Sequence, residues 1–213
     1  LSHVTSANAK ATRVSLLRSM LQAGKDFEYF NFLAEVKMHE ANLPHWNQER
    51  ALYFVTFRLA DSIPKEKLTQ WKCEFEQWLT RNPKPWNEEQ IDEYQTHFAR
   101  KIEVWLDRGY GSNLFRNSAH AQIVENCLLK FDQDRYKLDC DTIASNHAHA
   151  LVVATPDNEL HDILKSWKGV SARNINKLRR TTGTIWQKES YDHIVRNAAS
   201  LERIRKYIQN HKT

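Results

Sequence analysis

Glycine and proline together make up only 10 of the 213 residues, 5 of each. Average usage of about 7% and 5% would supply roughly 25. So few turn-formers exclude collagen-like, linker-rich and turn-dense all-β designs and favour long helices. The length suits one domain, or one domain with an appendage, and is ample for a real core. No apolar run approaches the ~18 residues that a membrane helix needs, so no membrane span is expected. The opening Leu1-Ser2-His3-Val4 has no charged segment leading into an apolar stretch, and no signal peptide is expected. Cys73, Cys127 and Cys140 are odd in number and far apart, without a Cys-x-x-Cys. They fit a reducing cytosol, as buried small hydrophobes.

Charge is divided unevenly along the chain. Residues 1–162 carry 19 basic and 23 acidic side chains, and residues 163–213 carry 12 and 3. The formal total of +5 therefore hides a net −4 followed by a net +9. A last quarter this basic suits a polyanion, either nucleic acid or an anionic membrane, although a solvated charged face has the same composition.

Periodicity supplies the element order. Residues 6–42 read as two helices broken at Gly24, with Leu16, Leu17, Met20 and Leu21, then Tyr29, Phe30, Leu33 and Val36, at helical spacing. Residues 51–59, dense in aromatic and β-branched side chains, read as a buried strand. Asp61-Ser62-Ile63-Pro64 opens a helix to about Thr80, Asn82-Pro83-Lys84-Pro85 breaks it, and a second covers roughly 87–107. After the turn at Gly109-Tyr110-Gly111 come a helix over 117–130, strands over 135–143 and 146–154, a helix over 159–179 and a last helix over 198–211. Strand, helices, strand, strand, helix and a further segment begin a ferredoxin-like α+β sandwich, an antiparallel sheet with helices on one face. The expected organisation is an N-terminal helical extension, 1–45, and a domain, 46–213, enlarged by long helices inserted at about 64–108.

Some residues could do chemistry. His147 and His149 are two apart on a strand, so both imidazoles share a face while Ala148 points to the core. With 10 histidines in the chain, roughly half a His-x-His is expected by chance. By itself the pair is either a metal-binding couple or two solvent-facing histidines. Tyr207 and His211 are four apart, hence on one helix face. Tyrosine can be a covalent nucleophile and histidine a metal ligand or proton carrier, but the border of an amphipathic helix often carries both. Lys165, Lys168, Arg173, Lys177, Arg179 and Arg180, with Arg196 and Lys206 further on, could track a DNA backbone or coat a solvated surface. Tyr191, near His193, is a rival nucleophile. Trp167 and Trp186 are expected in the core.

The motifs in order say more than any one of them. An apolar strand bearing His147-Ala148-His149 precedes a basic helix with Trp167, then Gly183-Thr-Ile-Trp186-Gln187 running to Asn197. Tyr207 follows within Arg205-Lys206-Tyr207-Ile208-Gln209-Asn210. This sequence resembles the single-tyrosine HUH transposases, in particular the REP-associated tyrosine transposases related to bacterial insertion-sequence transposases. Tyr53-Phe54-Val55-Thr56-Phe57-Arg58-Leu59-Ala60-Asp61 is similar to their first strand. The resemblance covers about 45–212 and is strongest over 143–211. It departs where Ala144-Ser145-Asn146 replaces the usual Met-Pro-Asn and where a small Ala148 stands between the histidines.

The resemblance implies a ferredoxin-like palm that cuts and rejoins single-stranded DNA beside hairpins, with a divalent metal, Mg²⁺ or Mn²⁺. It implies His147 and His149 as the metal pair, His211 as the third metal-facing residue and Tyr207 as the nucleophile. The product would be a 5′-phosphotyrosine and a free 3′-OH. It further implies a bacterial cytoplasmic protein, monomeric or homodimeric, with single-stranded or hairpin DNA as partner. A catalytically silent DNA-binding protein and a two-His metal phosphodiesterase without a covalent intermediate are the alternatives that an adduct assay separates.

Overall fold

Alternation along β-strands at the centre of the molecule, strict in two and interrupted by a bulge in a third, sends its two faces to different tasks. The computed structural model describes residues 20–31, 37–40, 44–84 and 86–211. Strand β3 is Tyr53–Arg58, β4 is Tyr136–Ile143, β5 is His147–Ala154 and β6 is Tyr191–Ile194. They form one antiparallel sheet in the order β4-β5-β3-β6. The expected ferredoxin-like α+β palm is therefore present, and its fourth strand is the short β6, which the sequence reading left as an unassigned segment. Four residues with only two of them buried carry too little pattern to declare a strand.

One sheet face carries Tyr53, Val55, Phe57, Ala148, Ala150 and Val152. Helices α4 (Ser118–Leu129) and α5 (Leu160–Arg179) cover it, with Val124, Leu128, Ile163, Leu164, Trp167 and Ile175 in the same core. Trp167 and Trp186 lie in that core, their indole N–H groups donating to Tyr136 Oη at 2.9 Å and Ser171 Oγ at 2.9 Å. The opposite face carries Leu52, Phe54, Leu151 and Val153, packed against Leu201 and Ile208 of α6 (Ala198–Asn210). Helices thus occupy both faces, a correction to the expected single-sided layer. Side chains of β5 at odd positions point to α6, and that is how the His pair meets the last helix.

A polar clamp holds α6 in place. A β-bulge between Leu138 and Cys140 inserts Asp139, and the Arg205 guanidinium donates to both its oxygens, at 2.6 and 2.8 Å. Leu21 N–H donates to Asp139 Oδ1 at 2.8 Å, and Arg205 donates to Leu21 O at 2.9 Å. The Asp139 side chain is 1% exposed, so removing its cation would strand a buried carboxylate. Arg205→Ala is expected to lower the unfolding free energy by about 3 kcal/mol in urea titrations, with little change in m.

The helices expected over 6–42 are not found among the described residues of that stretch. Residues 20–31 run irregularly around a turn at Gly24, whose φ of 77° suits glycine. Strand β1 (Lys37–Glu40) pairs antiparallel with β2 (Pro44–Asn47). Leu21, expected on a helix face, and Phe27 instead pin the chain to the second sheet face, at 7% and 0% exposure. Glu28 N–H donates to Arg50 O and Phe30 N–H to Val195 O, bonds to distant backbone that replace intrahelical ones. Residues 1–19, 32–36 and 41–43, including Leu16, Leu17, Leu33 and Val36, lie outside the described residues.

Between β3 and α4 the chain builds a separate aromatic core. Helix α1 (Lys65–Arg81) packs on a long helix comprising α2 (Glu88–Glu93), a π-helical turn (Tyr94–Ala99) and α3 (Arg100–Asp107). Trp71, Phe75, Trp78, Trp86, Tyr94, Phe98 and Trp105 fill the space between them. This package brings the end of α3 to the sheet face that carries α6. No helix among the described residues is long and apolar enough to cross a membrane.

Candidate active site

Four side chains separated widely in sequence meet where β5 passes under α6. His147, His149 and His211 offer ring nitrogens that all lie within 4.8 Å of one another. Tyr207 Oη lies 3.2 Å from His149 Nε2. All four come from one chain.

Neighbouring groups set the tautomers. Asn146 Nδ2 donates to Tyr110 O at 3.0 Å, which turns its Oδ1 toward His147 Nδ1 at 2.7 Å. An amide oxygen only accepts, so Nδ1 of His147 carries the proton and Nε2 keeps its lone pair. That Nε2 is buried and has no hydrogen-bond partner among the described residues. His149 Nδ1 faces Thr56 Oγ1 at 2.8 Å. In the tautomer whose Nδ1–H donates to Thr56, Nε2 of His149 keeps its lone pair, and the Tyr207 hydroxyl, also hydrogen-bonded to Asp107, lies beside it. Both lone pairs therefore point into the same space as His211, the residue that ends α6. The apolar wall is Phe54, stacked on His149 at 5.1 Å between ring centroids.

Gly111 protects the arrangement from below. A Cβ there would lie 2.4 Å from Asp61 O, and φ is 85°, so only glycine lets the turn carrying Tyr110 approach β3 and hold Asn146.

The electrostatics favour a cation. Burial pushes His147 down to about 3 and His149 well below the ordinary histidine range, and it lowers His211 as well, so all three are neutral near pH 7. Two acidic side chains, four apart at the end of α3, lie beside them. Burial, reinforced by Asp107, pushes Glu103 up to about 7, and burial raises Asp107 despite His211 and Tyr207 beside it. His211 Nε2 is 3.7 Å from Asp107 Oδ1. Burial first, then these carboxylates, push the Tyr207 phenol well above its ordinary value. A neutral nitrogen cluster beside carboxylates, with one ring nitrogen unpartnered, fits a divalent cation. The imidazole donors suit Mn²⁺ or a later transition metal better than Mg²⁺.

The buried imidazoles have a consequence for stability. Below pH 6.5 the unfolded chain takes up protons at His147 and His193 while the folded chain does not, because burial holds them down to about 3 and about 4. Stability of the metal-free protein is therefore full above that pH and declines as pH falls toward 3, by a few kcal/mol. Chemical denaturation in EDTA at pH 7.5, 5.5 and 4.5 should give falling midpoints.

The basic residues are not gathered at this site. Lys165, Arg173, Lys177 and Arg179 are exposed on α5, with Arg180 just beyond it, across the sheet from the His pair. Lys168 is occupied: its ammonium donates to Lys188 O at 2.6 Å and Ser190 Oγ at 3.1 Å, bracing the approach to β6. Arg196 stands beside β6, 4.0 Å from Asp92. Only Lys206 of this set lines the open cleft over the site, together with Arg203, which sequence reasoning did not single out. Also missed were Asn146, Thr56, Glu103 and Asp107. The carboxylates left one trace, because acidic side chains in the last turns of a helix oppose its dipole. Tyr191, the rival nucleophile, sits 5.7 Å from His193 and 6.5 Å from Tyr94 by ring centroids, on β6 and away from the His cluster.

A family model described as "Transposase IS200 like" matches residues 96–211, more than half of the chain. No curated protein matches it. Solved structures that it resembles include a REP-associated tyrosine transposase bound to a REP hairpin, at 12% identity and a TM-score of 0.44, covering 79% of this chain and 70% of that one. Another is a candidate transposase from Deinococcus radiodurans R1, at 15% identity and a TM-score of 0.30, covering 76% and 91%. At these identities the likeness concerns chain trace, not the roles of residues.

Proposed function

The chain belongs to the IS200-like transposase family, and we propose that it is a metal-dependent, REP-associated enzyme that cleaves and rejoins single-stranded DNA through Tyr207. The observation that carries this reading is the Tyr207 hydroxyl, 3.2 Å from His149 and beside two further neutral histidines. His147, His149 and His211 would hold a divalent cation, Mn²⁺ or Mg²⁺. When bound, that ion withdraws charge from the scissile phosphate and favours the phenolate.

The chain's own groups supply the rest. Asn146 and Thr56 hold the two strand histidines with their Nε2 lone pairs forward. Tyr207 is carried on a helix clamped through Arg205, so its oxygen is held at one depth. Asp107, beside the phenol, is the neighbouring base for its proton. The Tyr207 oxygen then attacks phosphorus and the bond to the 3′-oxygen breaks; that oxygen takes a proton from protonated Asp107 or solvent, leaving a 5′-phosphotyrosine and a 3′-OH. The diester's energy stays in the new bond, so rejoining needs no ATP. Arg203 and Lys206 line the open cleft and meet the backbone near the cut. The exposed α5 row, Lys165, Arg173, Lys177, Arg179 and Arg180, would serve a more distant length of the same DNA, the hairpin included.

The test is a hairpin-flanked single-stranded oligonucleotide, labelled on the 3′ side, incubated with the protein and Mn²⁺ and run on a denaturing gel. A labelled protein adduct that EDTA prevents is the expected result. Cleavage without an adduct would instead indicate a two-His phosphodiesterase. Binding without cleavage in any divalent metal would indicate a silent DNA-binding protein.

A further inference from the structure

Beside the site, on the same sheet face, lies a narrow cleft that the cleavage chemistry does not use. It is a slot of about 40 Å³ that opens to solvent, between the helical insertion and the edge strand β6. Trp86, Tyr94 and Tyr191 supply aromatic walls, and Gln95, His193 and Arg196 supply polar groups. Two of these polar groups are left over by the fold. Arg196 Nη2 and His193 Nδ1 are buried and have no hydrogen-bond partner among the described residues. Arg196 Nη1 stands 4.0 Å from the exposed carboxylate of Asp92. Buried polar groups without partners are costly, and finding an Arg donor and an imidazole nitrogen that line one aromatic cleft points to a ligand with a hydrogen-bonding edge and a flat ring.

The position identifies that ligand. His193 pairs with Phe54 and Tyr191 with Thr56 in the β3–β6 register. Phe54 in turn stacks on His149 and stands 6.3 Å from the Tyr207 ring. From β5, which bears the metal pair, to β6 is two strand spacings, or roughly 10 Å. Phosphates of an unstacked strand lie further apart than the ~3.4 Å rise of a duplex, so this separation suits a nucleotide near the scissile one. Resting on the single-strand DNA reading above, we propose that this cleft takes one unpaired nucleobase flanking the cut. The base would lie against Tyr191 and Tyr94, with Arg196 donating to its acceptor edge or adjoining phosphate. It is a specificity pocket for the flanking nucleotide, separate from the residues that break the bond.

Oligonucleotides carrying a single abasic site at successive positions around the cut test this, using full-length wild type, Arg196→Gln and Tyr191→Leu. Binding is read by anisotropy in EDTA, the adduct with Mn²⁺, and folding of each variant by thermal melt. In wild type, one abasic position should weaken binding about tenfold, the scale of one base–aromatic stack. In either folded variant, intact DNA should bind about tenfold more weakly and that abasic site should cost nothing more. Should an adduct form while no abasic position matters, or matter equally in the variants, the cleft holds only water and the proposal is overturned with the transposase reading intact. Absence of both adduct and single-strand binding overturns the two together.

Discussion

Tyr207→Phe is expected to abolish the covalent adduct and to lower strand cleavage by at least about 10⁴-fold, because no other group holds the attacking oxygen. Phenylalanine keeps the ring that contacts Phe54 and His149, so the variant should fold. What disappears is the hydroxyl's hydrogen bonding to His149 and Asp107, each bond worth about 1 kcal/mol net, and the proposed nucleophile itself. DNA binding should therefore survive, which separates lost chemistry from lost structure. Cleavage at the wild-type rate in Tyr207→Phe would move the nucleophile elsewhere. The other candidate on this sheet face, Tyr191, lies two strands away from the His pair, and burial first of all raises its phenol as well.

The second large effect concerns the histidines. His149→Ala removes one of two buried ring nitrogens facing the cluster and is expected to eliminate both Mn²⁺ binding by calorimetry and the adduct. In wild type, saturating Mn²⁺ at about 100 times its Kd should stabilise the fold by ~2.7 kcal/mol, a rise that EDTA reverses and His149→Ala lacks. Asn146→Ala is the more discriminating variant. It leaves every proposed ligand in place but frees His147 Nδ1, so the ring can turn and the proton can move to Nε2. Loss of such an orienting partner should weaken metal affinity about 10–100-fold. Excess Mn²⁺ should restore cleavage to Asn146→Ala and not to His149→Ala. Wild-type affinity in Asn146→Ala would sink the orienting role.

Asn146 also marks a limit of local pattern. It was visible as the residue before the His pair, yet its role depends on Tyr110, 36 positions away, turning its amide. Thr56 is a similar case. Within an apolar strand its hydroxyl reads as tolerated by β-propensity, and only pairing with His149, 93 residues on, makes it a second anchor. The N-terminal stretch shows the opposite error. Among the described residues there Leu21 is buried and Tyr29 and Phe30 pack against the cores, while Met20 is exposed, and burial does not specify how the backbone runs between them.

What the sequence determined by itself, outside the N-terminal stretch, was the set of relations carried by a short period. The two-residue repeat put His147 and His149 on one face and Ala148 in the core, and the 3.6-residue repeat put Tyr207 above His211. Scarcity of glycine and proline favoured long helices, and the strand–helix order implied a ferredoxin-like palm. Tertiary structure decided which sheet face meets which helix. The bulge at Asp139 and the Arg205 clamp seat α6 over the His pair, and the helical insertion delivers Asp107 to it. The same packing sends the basic residues of α5 to the far side. Periodicity says that a side chain leaves the core, but the partner it meets depends on contacts far apart along the chain, and a one-residue window cannot contain those.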